Sequence, residues 1–256
     1  MSKKVKTDFE KLDWKIWSKN DLVEERTYLR AKGELPEMQS AIQLRDILSS
    51  IETDASVMDV GCASGHYLRS IRQLSESCKY TGIDATAKYI ESAKEIFKED
   101  KLAEFEVQDI YELNKSADIV FCCNVLLHLP NIKVPLTNLL SSFNERLVIR
   151  TLISEKTHLS QYLYSDVFDE NGNPTDFLFQ NTYSFEYLQD LVSQFDPSLK
   201  VEFIGDVYDI AALQEEGKNW KKRQGFATTA IENNLQIAGD KVFRWHWMVC
   251  TRGQKK

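Results

Sequence analysis

The spacing of apolar residues changes from a helical pattern to a strand pattern near residue 56, and this change marks the start of the main fold. Upstream, residues 8–31 carry apolar side chains at the spacing of one or two amphipathic helices, which we expect to end at Gly33. A second helix is predicted to begin at Pro36, because proline is favoured at the first helical position. Residues 1–50 are therefore predicted to form an N-terminal helical cap.

Short apolar strands and amphipathic helices alternate over the next hundred residues. The predicted strands lie within residues 56–60, 79–84, 105–107, 118–123 and 146–152. The predicted helices between them begin near His66, Thr86 and Val134. Such alternation is typical of a parallel sheet with right-handed crossovers. The nearly all-apolar fourth strand is typical of a strand that is buried on both faces.

The remainder of the chain is less regular. We expect a hairpin formed by residues 162–168 and 177–182, a helix over residues 184–195 and a strand over residues 200–204. Strong alternation of side chains over residues 240–251 predicts a last strand that joins the sheet in the antiparallel direction.

Together these elements predict an α/β fold. Its core is a doubly wound seven-stranded sheet, mostly parallel with an antiparallel last strand and with helices on both faces. The main domain would span residues 51–256 and carry cap insertions at about residues 152–183 and 206–239.

Charge and length restrict the possible partners. The chain of 256 residues has 32 Lys and Arg against 39 Asp and Glu, a formal net charge of −7. Such a surface repels phosphate backbones, so nucleic acid is not expected as a partner. The start of the chain lacks the apolar core of a signal peptide, and the longest apolar run, residues 119–127, is too short to cross a bilayer. We expect a cytoplasmic monomer or homodimer that does not bind membranes.

No metal or disulfide framework is expected. The five cysteines are odd in number, form no C-x-x-C motif, and have no histidine at ligand spacing. The loop at residues 169–174 superficially resembles a calcium loop, but Pro174 stands where that loop requires glycine.

The most specific signal is the segment Val57–Gly65, in which a strand leads directly into a glycine turn and then a helix. Glycines in such a turn let the backbone approach a ligand closely. A dinucleotide fingerprint would need G-x-G-x-x-G, but Ala63 and His66 occupy two of its three glycine positions when it is counted from Gly61.

The segment instead resembles the D-x-G-x-G-x-G loop of class I S-adenosylmethionine-dependent methyltransferases. Asp59, Gly61 and Gly65 match that loop, whereas Ala63 replaces its middle glycine and leaves slightly less room. Asp84 ends the second strand, where a carboxylate can accept hydrogen bonds from both hydroxyls of a ribose.

Two later segments extend the resemblance. Asp109 and Ile110 lie in a segment similar to the one that contacts adenine in this family. Residues 122–130 resemble the loop that passes the methionine portion and the methyl group. The resemblance implies S-adenosyl-L-methionine as the cofactor, with Ala85 and Asn124 also among its binding residues.

Methyl transfer from a sulfonium is an in-line displacement that needs no metal and depends mainly on positioning. For a hydroxyl acceptor a base must also remove a proton. His128, after the fourth strand, is the first candidate, and His158, after the fifth, is the second. His66 is expected to be structural or near the cofactor carboxylate. Arg150 would either bind an anionic acceptor or form a salt bridge.

The wider chain, including residues 33–38 before the core, loosely resembles methyltransferases of bacterial surface-sugar gene clusters. The predicted function is therefore O-methylation of a small molecule such as a sugar or nucleotide sugar. Methylation of an amine or carboxylate remains open, as does a partner subunit that binds the cofactor without turnover. The acidic charge argues against an RNA acceptor, and the fourth strand lacks the N-P-P-Y-like motif of many base and glutamine methyltransferases.

Overall fold

The computed structural model describes residues 21–163, 168–173, 177–207, 230–232, 235–238 and 241–253. The helices in these ranges are α1 Asp21–Lys32, α2 Gln39–Leu48, α3 Leu68–Leu74, α4 Ala87–Ile96, α5 Lys133–Ser142 and α6 Phe185–Phe195. The strands of the first half are β1 Ser56–Val60, β2 Lys79–Asp84, β3 Ala103–Val107, β4 Ala117–Cys123 and β5 Phe143–Ser154. Those of the second half are β6 Gln161–Leu163, β7 Phe177–Phe179, β8 Tyr183–Ser184, β9 Lys200–Gly205, β10 Ala230–Glu232, β11 Leu235–Ala238, β12 Lys241–Phe243 and β13 Trp245–Thr251.

The main sheet has the strand order β3-β2-β1-β4-β5-β13-β9, and β8 pairs with β5 outside this path. Strands β1 to β5 are parallel neighbours, whereas β13 runs antiparallel to both β5 and β9. The predicted seven-stranded, mostly parallel sheet with an antiparallel last strand is thus confirmed. Because β13 lies between two strands, both of its edges are paired, and its side chains Trp247 and Met248, each 0% exposed, belong to the two apolar clusters on opposite faces of the sheet.

Two apolar clusters fill the two faces of this sheet. One cluster receives Leu136 from α5 and Leu188 from α6, and the other receives Leu44 from α2, Ile71 from α3 and Ile90 from α4. Helices therefore cover both faces, as predicted. Helix α1 packs on α4, and α2 packs on α3.

Two predicted boundaries were wrong. Helix α2 begins at Gln39 rather than Pro36, and Met38 is its N-cap in an extended conformation. The predicted last strand is interrupted at Arg244, because β12 pairs with β11 in a separate three-stranded sheet while β13 joins the main sheet. The alternation of side chains continues across Arg244 and so gives no sign of this change of partner.

The insertions contain less regular structure. Strands β6 and β7 pair antiparallel, which agrees with the predicted hairpin. Much of the predicted insertion at residues 206–239 lies outside the described residues. Among the described residues, no helix has the length and apolar character needed to cross a membrane. The division into a cap at residues 1–50 and a main domain remains a prediction.

The strand order reverses between β1 and β4, and this switch point positions the site. From β1 the chain continues to β2 on one side, whereas β4 lies on the other side of β1. The loops at the carboxyl ends of these two strands therefore diverge and leave a crevice, which is where open α/β sheets bind ligands.

Candidate functional site

A cavity of about 370 Å³ lies at the carboxyl ends of β1 to β4. Its volume falls within the range of small-molecule pockets, roughly 300–1,000 Å³. Eight of the predicted site residues contribute to its wall: Gly61, Ala63, Asp84, Ala85, Asp109, Ile110, Asn124 and His128. Asp59, Gly65 and His158 do not line this cavity.

The turn after β1 packs closely against the loop after β4 because Gly61 lacks a side chain. Gly61 has φ +84°, and a Cβ placed there would lie 2.2 Å from Cγ2 of Val125. Gly65 is required for the same reason, since it has φ +77° and a Cβ there would lie 2.7 Å from the ring of Phe105. Ala63 has φ +47° and lies in the left-handed region between them. The turn is thus shaped by backbone conformation and by packing behind it.

Asp84 holds the turn against the start of α4. Its Oδ2 accepts a hydrogen bond from the Ala63 amide at 2.9 Å, and its Oδ1 accepts one from the Thr86 amide at 2.8 Å. Burial raises the pKa of Asp84, and these backbone donors oppose that rise. Because each carboxylate oxygen can accept more than one hydrogen bond, Asp84 has capacity left for hydroxyl groups in the cavity.

Asp59 lies in the interior of the sheet, behind the turn. It is 1% exposed and accepts a hydrogen bond from the Tyr80 hydroxyl at 2.7 Å. Burial raises the pKa of Asp59 to about 8, although the Tyr80 hydrogen bond opposes the rise. The structure thus places this predicted cofactor residue under the cavity rather than in its wall.

The loop after β3 forms the next part of the wall. Asp109 caps the short 3-10 helix Ile110–Glu112 by accepting a hydrogen bond from the Tyr111 amide at 3.0 Å. The side chain of Asn138 on α5 donates to the carbonyls of Ile110 and Tyr111, at 2.9 Å each. Helix α5 therefore fixes the backbone that presents Asp109 and Ile110 to the cavity.

His128 reaches the cavity from the short 3-10 helix that follows β4. Its Nδ1 lies 2.8 Å from the carbonyl oxygen of Phe179 on β7. A carbonyl can only accept, so Nδ1 carries the proton and Nε2 is the basic nitrogen of the neutral ring. Burial lowers the pKa of His128 to about 4, which keeps the imidazole neutral near pH 7.

The other two histidines considered for this site have different surroundings. His158 is exposed and pairs with Thr182 through backbone hydrogen bonds on the 152–183 insertion. His66 does line the cavity, and burial together with the nearby positive charge of Arg30 lowers its pKa to about 3.

Helix α1 supplies wall residues that the sequence reasoning missed. Val23, Arg26, Thr27 and Arg30 are spaced as one helical face, and all four line the cavity. Thr27 also shares a hydrogen bond of 3.1 Å with Ser64 of the glycine turn. The spacing was visible in the sequence, but three of these residues are polar, and a search for apolar periodicity passes over such a face.

Arg150 forms a salt bridge, which was one of its two predicted roles. Its guanidinium pairs with Asp206, which follows β9, and the side chains of both residues are nearly buried. The face of the guanidinium lies 4.1 Å from the centroid of Trp245, a residue of the cavity wall.

Comparisons with known proteins identify a family model that the chain matches. The family model described as "Methyltransferase domain" matches residues 51–180. No curated protein sequence matches the chain significantly.

Three solved structures illustrate the similarity of fold. Magnesium protoporphyrin IX methyltransferase from Synechocystis PCC 6803, with bound SAM, aligns with a TM-score of 0.51 at 14% identity, over 84% of this chain and 79% of its own. Coclaurine N-methyltransferase bound to N-methylheliamine and SAH gives 0.53 at 13% identity, over 83% and 72%. Phosphoethanolamine N-methyltransferase 2 of Haemonchus contortus, in complex with S-adenosyl-L-methionine, gives 0.56 at 12% identity, over 84% and 52%.

Proposed function

This chain belongs to the methyltransferase domain family and is an S-adenosylmethionine-dependent methyltransferase, and we propose that it methylates a hydroxyl group of a small molecule. One observation carries the proposal: the same cavity is lined by the neutral imidazole of His128, by the glycine turn after β1 and by the carboxylate of Asp84, and the last two suit a nucleoside.

The donor set of the cavity fits the cofactor. Asp84 has acceptor capacity for the two ribose hydroxyls, and Asp109 and Ile110 offer a carboxylate and an apolar side chain for the adenine. On the side of the glycine turn, Arg30 supplies positive charge for the methionine carboxylate, and Gly61 lets Val125 pack against the turn that lines the cavity. When bound, the cofactor supplies an electrophilic methyl group on a positively charged sulfur.

His128 would act as the general base. A neutral imidazole with its proton on Nδ1 presents a lone pair on Nε2, which can take the proton of an acceptor hydroxyl. The backbone carbonyl of Phe179 fixes the tautomer and the orientation of the ring, so that Nε2 has a defined position. This arrangement favours a hydroxyl acceptor, because a hydroxyl needs more help from a base than an amine or a carboxylate does.

A sugar or nucleotide sugar is the acceptor class we propose within this function. The support is the loose sequence resemblance to enzymes of surface-sugar clusters, together with an acidic chain that disfavours nucleic acid. The protein would work in the cytoplasm as a monomer or homodimer.

The test is a panel of small acceptors with S-adenosylhomocysteine release as the readout. Hydroxyl compounds, including sugars and nucleotide sugars, are compared with amines and carboxylates at equal concentration. We expect turnover with a hydroxyl compound. Turnover confined to amines or carboxylates would contradict the proposed hydroxyl acceptor and would assign one of those groups instead. Cofactor binding without turnover on any compound would favour a non-catalytic partner subunit.

A further inference from the structure

The side chain of Arg150 joins the ends of two strands beneath the cavity. Arg150 lies on β5 and is 6% exposed. Its Nε and Nη2 donate to the two carboxylate oxygens of Asp206, and its Nη1 donates to Oδ1 of Asn124, which follows β4. The backbone adds a further bond, since the Asn124 amide donates to the Arg150 carbonyl at 2.9 Å.

These contacts decide which way the Asn124 amide faces. A guanidinium has donors only, so the atom of Asn124 that meets it must be the oxygen. The amide nitrogen, with its two N–H donors, is therefore on the side away from Arg150. Asn124 itself lines the cavity and has φ +62°, whereas Arg150 is not part of the wall.

We propose that Arg150 is a positioning residue that holds the Asn124 N–H donors toward the ligand in the cavity. The proposal rests on the proposed function for the identity of that ligand. The consequence is a cavity wall that offers N–H donors from Asn124 and the imidazole of His128. Such a pair is complementary to a hydroxyl group, which accepts from one and donates to the other.

The planar fork of arginine is what this role requires. Two nitrogens on one edge of the guanidinium donate to the carboxylate of Asp206, and the third nitrogen donates to Asn124. The face of the guanidinium packs on the ring of Trp245. Asp206 has a further donor in Nε1 of Trp247, at 2.8 Å. A lysine at position 150 would keep the positive charge beside Asp206, but a single ammonium cannot reproduce the fork.

The test compares the affinities of S-adenosylmethionine and S-adenosylhomocysteine by calorimetry, which needs no acceptor. The two probes differ only in the methyl group and its positive charge, so the ratio of their dissociation constants reports local electrostatics and is insensitive to overall stability. In Arg150→Lys the Asn124 amide is released and can turn its oxygen toward the sulfonium. We expect the ratio to shift by about 3- to 10-fold in favour of S-adenosylmethionine.

The matched control is the same substitution in an Asn124→Leu background, where no amide remains to turn. There we expect Arg150→Lys to change the ratio by less than about twofold. An unchanged ratio with Asn124 present, or an equal shift in both backgrounds, would overturn the proposal.

A second variant covers the case in which Arg150→Lys fails to fold. Asn124→Leu by itself removes the N–H donors without adding a charge, and relative to the parent protein it should shift the ratio in the same direction. No shift in Asn124→Leu would also overturn the proposal. If the parent protein bound neither probe, the proposed function itself would fail.

Discussion

Removal of the Asp84 carboxylate tests the nucleoside end of the cavity directly. In the ligand-free protein, Asp84→Ala deprives the amides of Ala63 and Thr86 of their acceptor. In the complex it also removes the acceptor that we assign to the ribose hydroxyls. Hydrogen bonds to a charged group are worth about 1.5–3 kcal/mol, so S-adenosylhomocysteine should bind about 10- to 100-fold more weakly.

Asp84→Ala is also expected to lower the stability of the protein, so the loss of affinity has to be separated from the loss of stability. Asp118 provides a matched control, because its carboxylate also accepts hydrogen bonds from backbone and side chain, namely from the Ser56 amide at 2.9 Å and the Ser56 hydroxyl at 2.7 Å. It lies at the start of β4 and does not line the cavity. Asp118→Ala should lower the melting temperature and leave the affinity unchanged.

The assay is calorimetric titration with S-adenosylhomocysteine, after circular dichroism has shown that each variant is folded. A folded Asp84→Ala protein with parental affinity would refute the assignment of the ribose to Asp84. Equal losses of affinity in Asp84→Ala and Asp118→Ala would show that the effect is one of stability alone.

Three further substitutions test other parts of the site. His128→Ala should lower turnover on the identified acceptor by about 10²- to 10⁴-fold with little change in cofactor affinity, and the parental rate should fall as the pH drops toward 4, where the imidazole becomes charged. A mutant that keeps a third or more of the parental rate would contradict the base role. Gly61→Ala should prevent cofactor binding, measured by calorimetry, because its Cβ would meet Val125; parental affinity would show that the turn can adjust. Because burial raises the pKa of Asp59 to about 8 in the folded protein, the parent protein loses stability as the pH rises from about 4 to 8. Asp59→Asn removes this loss, so the free energy of unfolding of the ligand-free variant should rise relative to the parent by up to roughly 1.4 kcal/mol per pH unit over that range. Urea unfolding at several pH values measures this, and a constant difference would contradict it.

The sequence predicted the sheet well because its signals are local. The period-2 and fully apolar segments identified β1 to β5, and the glycine turn after β1 follows directly from the order of residues around Gly61. Asp84 ends β2, Asn124 directly follows β4, and Asp109 lies two residues after β3. Since parallel strands end at one edge of a sheet, local order alone was enough to bring these residues together.

Residues with similar sequence signals were nevertheless placed differently by packing. Asp59 and Asp84 both belong to short apolar strands, but the pleat directs Asp59 toward Tyr80 in the sheet interior, whereas Asp84 ends its strand beside the cavity. His128 and His158 both follow strands, yet only His128 is turned into the cavity, where the carbonyl of Phe179 from the hairpin holds it.

The sequence by itself thus determined the fold class, the order of the elements and most of the residues at the carboxyl edge of the sheet, because each depends on patterns a few residues long. Only the tertiary structure decided which face of α1 covers the cavity, which of the two candidate bases, His128 and His158, reaches it, and which partner holds Arg150. These features depend on contacts between residues far apart in the chain. Arg150 and Asp206, for example, are separated by 56 residues and meet only because β13 brings β5 and β9 together.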